Sequence, residues 1–89
     1  ADDEVIDLLA ELTYNMKDYK KGLKYVNLFL VSKPRDVEKL FMKAKCMRKL
    51  GQWAETYAIY KRILELQPYN TRAKAKIDSF EKNVKELVK

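Results

Sequence analysis

The stretch "KLGQWAETYAIYKRILELQPYN", Lys49 to Asn70, holds one of the chain's two glycines, its only tryptophan and one of its two prolines. The run is otherwise rich in helix-forming residues, so its breaks carry the information. Gly51 can adopt the left-handed conformation that ends a helix, and Trp53 then restarts an apolar pattern. Pro68 disfavours helical geometry in the residue before it, and Asn70 can accept a hydrogen bond from the first free amides of a following helix. The stretch reads as the end of one helix, a tight turn, a whole helix and a second break.

The same punctuation recurs upstream. "SKPRD", Ser32 to Asp36, matches "LQPYN", Leu66 to Asn70, with Pro34 and Pro68 lying 34 residues apart. One such period before "KLGQW" stands "NMKDY", in which Lys17 takes the glycine's place and Tyr19 the tryptophan's. These breaks predict helices over residues 3–15, 19–32, 36–49, 53–66 and 70–88, joined by turns so short that neighbours pack antiparallel. Apolar spacing agrees: Val5, Ile6, Leu8, Leu9, Leu12 and Met16 form a broad stripe in the first helix, and Tyr57, Ile59, Tyr60, Ile63, Leu64 and Leu66 another in the fourth. The last helix carries Ile77, Phe80, Val84, Leu87 and Val88 on one side only, which suits a terminal cap.

Composition narrows the class. Two Gly and two Pro in 89 residues leave almost nothing for β-hairpins, so residues 1–89 read as one all-α domain. There is no histidine, a single cysteine and no Gly-rich phosphate loop. The usual nucleophile–base and metal constellations therefore lack their parts, and we expect no catalytic residues, no metal ligands and no cofactor. Asp2, Asp3, Glu4 and Asp7 gather where the first helix dipole stabilises negative charge, and Cys46 sits at a small apolar helix position that suits core packing. No apolar run approaches the ~20 residues that span a bilayer, so no membrane partner is expected and the expected setting is soluble and cytoplasmic.

Charge is uneven. The net charge is +6, yet residues 1–16 carry five acids and no base. All 19 bases therefore face only eight acids in the rest of the chain, an imbalance that suits an acidic partner.

Residues 3–36 overlay residues 37–70 without a gap, with Glu4/Glu38, Ala10/Ala44, Leu30/Leu64 and Pro34/Pro68 identical. Ile6 and Leu40 are large and apolar early in the first helix of each unit, and Ala10 and Ala44 are small where the paired helix must approach. Gly22 and Thr56 are small in the second helix. With the turn at Gly51 and the aromatic residues Tyr19 and Trp53, this pattern resembles the tetratricopeptide repeat family. The resemblance covers nearly the whole chain: repeat one over 3–36, repeat two over 37–70 and a capping helix over 70–88. Departures are Lys17 for the turn glycine, Lys43 for a usual leucine, and Phe29 and Ile63 for a usual alanine.

The resemblance implies a right-handed superhelix of antiparallel helical hairpins with five helices. Its concave surface would be lined by the first helix of each repeat. By register that surface takes Leu8, Glu11, Tyr14 and Asn15, then Phe41, Met42, Lys45, Arg48 and Lys49, then Arg72, Lys76 and Ser79. The partner-binding candidates are Phe41, Met42, Lys45, Arg48, Lys49, Arg72 and Lys76, where apolar side chains beside bases suit an acidic peptide with an apolar anchor. The Lys/Asn set by which chaperone co-factors of the family hold a terminal carboxylate does not carry over: Asp7, Glu11 and Met42 stand in its places, and only Arg72 and Lys76 match in charge. The expected function is a protein–protein interaction scaffold. The alternatives are a minimal or designed repeat unit that only folds or forms a homo-oligomer, and a basic nucleic-acid binder, for which no stacking or recognition-helix motif is present.

Overall fold

Two turns set the architecture. Gly51 has φ 78° and Lys17 has φ 63°, both in the left-handed region. At each turn the amide of that residue donates three residues back, Gly51 to Arg48 and Lys17 to Tyr14. The following amide donates five back, Gln52 to Met47 and Asp18 to Thr13. This paired arrangement satisfies the last carbonyls of a helix while reversing the chain. Lys17 thus adopts the glycine's conformation without being glycine, at a steric cost of roughly 1–2 kcal/mol.

The computed structural model describes residues 2–87. In them lie five α-helices: α1 (Asp3–Asn15), α2 (Tyr19–Ser32), α3 (Val37–Lys49), α4 (Trp53–Leu66) and α5 (Thr71–Leu87). Two starts differ by one residue from the sequence expectation, because Asp36 and Asn70 act as caps just outside the helices. Asp36 accepts from the Lys39 amide at 3.0 Å, and Asn70 accepts from the Ala73 amide at 2.9 Å. Asp2 and Asp18 cap α1 and α2 in the same way. Val88, expected in the last helix, lies outside the described residues. No strand occurs among the described residues, and the architecture is all-helical.

Consecutive helices pack against one another, α1 on α2, α2 on α3, α3 on α4 and α4 on α5, giving an elongated body of 47 × 27 × 16 Å. The small residues sit where helices approach most closely. Ala10 and Ala44 are fully buried, and a Cβ on Gly22 would meet the Cys46 Sγ at 3.3 Å. Val26, Leu30, Leu40, Phe41, Tyr60 and Ile63 fill one continuous core, each full burial contributing about 1.5–3 kcal/mol. Thr13 and Thr56 are buried too, their hydroxyls donating to the carbonyls of Leu9 and Gln52, each at 2.7 Å, so neither is left unsatisfied.

Ion pairs bridge helices that scarcely touch otherwise. Lys39 Nζ reaches Asp7 of α1 at 2.6 Å and Glu11 at 3.9 Å while lying 5.4 Å from the Phe29 ring centre of α2. Arg72 of α5 pairs with Glu38 of α3 at 3.6 Å. The first helices of successive units are thus joined by charge.

Candidate functional site

Of the seven sequence-predicted binding residues, Phe41 is buried, and Arg48 and Lys76 line one cleft. Phe41 is only 3% exposed, tilted against Tyr60 at 6.3 Å and capped by the Arg72 guanidinium 4.0 Å above its ring. It belongs to the core, since the α3 row facing α4 passes through it, and no peptide can reach its face. Met42 is half-buried against the same core, and Lys45 is half-buried beside it. Arg72 is engaged by Phe41 and Glu38. Lys49 is exposed.

Arg72 and Phe41 come together in the guanidinium–ring contact, and Arg48 and Lys76 come together at a cleft. Arg48 and Lys76 line that cleft, of about 210 Å³, with Trp53, Thr56, Tyr60, Ser79, Phe80 and Asn83, and it is bounded by α3, α4 and α5. A second, more apolar cleft of about 390 Å³ adjoins it, walled by Trp53, Phe80, Asn83, Val84 and Leu87. Trp53, Phe80 and Asn83 line both, so the two form one continuous depression. One part offers two cations, the hydroxyls of Thr56, Tyr60 and Ser79, and the Asn83 amide. The other offers aromatic and aliphatic surface, with Trp53 53% exposed and Leu87 84% exposed.

The register sets the two inter-unit junctions side by side. Thr56 and Phe80 occupy the positions that Gly22 and Cys46 hold at the α2–α3 junction, each 34 residues on. Gly22 and Cys46 are small and buried, and a Cβ on Gly22 would meet the Cys46 Sγ. Thr56 and Phe80 are larger, and both line the cleft. Phe80 is instead held by stacking on Tyr57, ring centres 4.7 Å apart. The Tyr57 hydroxyl donates to Glu81 at 3.0 Å, which raises its pKa through the hydrogen bond to that carboxylate. These contacts fix the outer wall of the depression.

Its electrostatics favour anions. Among the described residues no carboxylate lies within ion-pair distance of Arg48 or Lys76. Burial pushes the Tyr60 hydroxyl above its ordinary pKa, and the positive charges of Arg48 and Arg72 act in the opposite sense. Tyr60 stays neutral and so does not offset the two cations.

Trp53, Tyr60, Phe80, Asn83, Val84 and Leu87 were not among the sequence candidates. Trp53 reads as a turn signature and the α5 residues as a cap stripe. The available signal was the enlargement from Cys46 to Phe80 in the 34-residue overlay.

Cys46 is fully buried, and desolvation pushes its thiol from 9.0 to about 11. Among the described residues no three His, Cys, Asp or Glu side chains gather as a metal ion would require. No helix among them is long and apolar enough to cross a membrane. Comparison with protein-family models and with curated proteins yields no match, so the likeness to tetratricopeptide repeats rests on the residues themselves.

Proposed function

We propose that this chain is a protein-interaction scaffold of the tetratricopeptide type, and that its α3–α4–α5 depression takes an acidic segment carrying an apolar anchor. The observation that supports this reading is the adjacency of two cations, Arg48 and Lys76, without an ion-pair partner among the described residues, to an apolar cleft sharing the same wall. A carboxylate side chain would sit between the cations, near Ser79 and Asn83. An aromatic or branched aliphatic side chain would enter beside Trp53 and Phe80. At about 390 Å³ the apolar part lies within the ~300–1,000 Å³ typical of ligand pockets.

The energetics assign the two parts different roles. Each exposed basic contact contributes roughly 0.2–1 kcal/mol and weakens in salt. A fully buried anchor contributes about 1.5–3 kcal/mol and does not. Charge then steers the segment, and the anchor supplies the affinity and much of the specificity.

Trp53 is the only tryptophan, and it lines the depression, so its fluorescence reports occupancy directly. Titration with an acidic peptide bearing one Leu or Phe should shift its emission. Poly-glutamate and DNA of equal charge should bind more weakly, and Lys76→Glu should weaken the peptide without altering helical circular dichroism. Equal binding of all three polyanions, abolished by salt and indifferent to the anchor, would overturn the reading in favour of a nonspecific basic surface.

A further inference from the structure

The chain carries on its own surface a segment with the chemistry that the depression is proposed to take. In α1 and its C-cap the side chains of Val5, Leu8, Leu12 and Met16 are 51%, 69%, 52% and 69% exposed, and they follow one another at three- and four-residue spacing along one face. Glu4 and Glu11 stand four before and three after Leu8, so they border that stripe on one side; both are exposed, and Glu11 also lies 3.9 Å from Lys39 of its own chain. The result is an apolar ridge edged with carboxylates.

The fold itself shows that this face is of the kind that receives another helix. One 34-residue period on, Val5 and Leu12 correspond to Lys39 and Cys46 of α3. Those two lie against α2, Lys39 over the Phe29 ring and Cys46 beside Gly22. The face that is covered in α3 is bare in α1.

We infer that α1 of one copy of this chain docks in the α3–α4–α5 depression of a second copy, with Leu8 and Leu12 against Trp53, Phe80, Val84 and Leu87. Glu4 and Glu11 then face Arg48 and Lys76. This rests on the proposed reading of the depression as a site for acidic, apolar segments. Charge complementarity selects this occupant: α1 lies in the part of the chain with five acids and no base, while the depression lies in the part that holds all 19 bases. The two surfaces differ and lie at opposite ends of the helix order, so the contact is heterologous and propagates into a chain or closes into a ring.

The test uses the 89-residue protein and two blocked variants in sedimentation equilibrium. Leu8→Gln with Leu12→Gln blocks the ridge, and Arg48→Glu with Lys76→Glu blocks the depression. The wild-type mass should rise with concentration, while each variant stays at the 10.6 kDa of the monomer. An equimolar mixture of the two variants should form a species of twice that mass and nothing larger, because only one ridge and one depression remain. The single variants Leu8→Gln and Lys76→Glu, each at an exposed position, provide the same contrast should a double variant lose helicity.

A depression-blocked variant that self-associates alone would overturn the proposal in favour of symmetrical ridge-to-ridge pairing. A wild-type protein that is monomeric throughout would overturn it as well. The ridge-blocked variant keeps its depression intact, so a Trp53 emission shift on adding an acidic, Leu-bearing peptide to it tests the binding site separately from the assembly.

Discussion

Lys17 and Gly51 occupy the same turn one repeat apart, and both hold a left-handed backbone, φ 63° and φ 78°. The lysine is strained there and the glycine is not. Lys17→Gly removes roughly 1–2 kcal/mol of strain and adds roughly 0.5–1 kcal/mol of chain entropy, for a net gain of up to ~1.5 kcal/mol. Gly51→Val introduces the full penalty of a β-branched residue, although no heavy atom lies within 4 Å of a Cβ at that position. Lys17→Val adds only the increment from lysine to valine. Chemical denaturation should rank the variants Lys17→Gly above wild type, then Lys17→Val, then Gly51→Val. A Gly51→Val loss no larger than that of Lys17→Val would show that backbone strain does not govern these turns.

A second coupling joins Gly22 to Cys46, whose sulfur would lie 3.3 Å from a new Cβ. Gly22→Ala in a helix gains about 1 kcal/mol of propensity, and the squeeze on that sulfur offsets it. The single variant should therefore be close to neutral. With Cys46→Ala in place the squeeze vanishes, and Gly22→Ala should stabilise by about 1 kcal/mol. Strictly additive midpoints across the four proteins would mean that α2 and α3 adjust without resistance.

These pairs show which parts of the fold are legible in the sequence. Breaks are local: Pro34, Pro68, Gly51 and the caps Asp36 and Asn70 act through neighbouring backbone, so helix limits follow from reading along the chain. Face assignment is less local. Phe41 stands beside Met42 and Lys45 in sequence, but whether its ring points to a groove or to Tyr60 depends on the rotation of α3 about its axis, which the packing of α4 and α5 decides. The depression was hidden for a related reason. It is walled by residues of three helices, Arg48, Trp53, Phe80 and Asn83 among them, which no single stretch brings together.

Burial of Cys46 has a pH signature. Its thiol ionises at about 11 in the folded chain against 9.0 as a model thiol. A raised native pKa leaves stability intact below pH 9, where both states hold the proton. As pH climbs towards 11 the unfolded chain ionises first, and the native state loses ground by up to roughly 2–3 kcal/mol. Cys46→Ala should remove that part of the decline between pH 9 and 11, even if it lowers stability at pH 7 by emptying a small volume. Parallel stability curves for the two proteins across that interval would show that the thiol contributes nothing to the alkaline transition.

Arg72 covers the Phe41 ring at 4.0 Å and pairs with Glu38 at 3.6 Å. The ion pair is largely exposed, so Glu38→Ala should cost less than about 1 kcal/mol and lose that effect in high salt. The stacking contact is not screened in the same way. Arg72→Ala should cost about 1 kcal/mol more than Glu38→Ala, and most of its effect should survive high salt, because the aromatic face is then open to water. Equal costs with equal salt dependence would reduce Arg72 to a surface charge.

Lys49 and Asn83 hold the same register position on α3 and α5, one repeat apart, and both are exposed. Only Asn83 lines the depression, where it forms part of the wall shared by the polar and apolar clefts. A tryptophan at each position therefore separates a broad concave groove from a confined site. Asn83→Trp should fill the shared wall and weaken an acidic, Leu-bearing peptide at least tenfold, about 1.4 kcal/mol, leaving the bound charge pattern unchanged. The residual affinity should fall with salt as steeply as before, because Arg48 and Lys76 are retained. Lys49→Trp removes one exposed charge and should change the affinity by no more than roughly 1 kcal/mol. Isothermal titration of both variants decides between them, with circular dichroism confirming that each keeps its helices. If Lys49→Trp proved the more damaging, the peptide would lie along the α3 face that contains Lys45 and Lys49, and the depression beside Trp53 would not be its site.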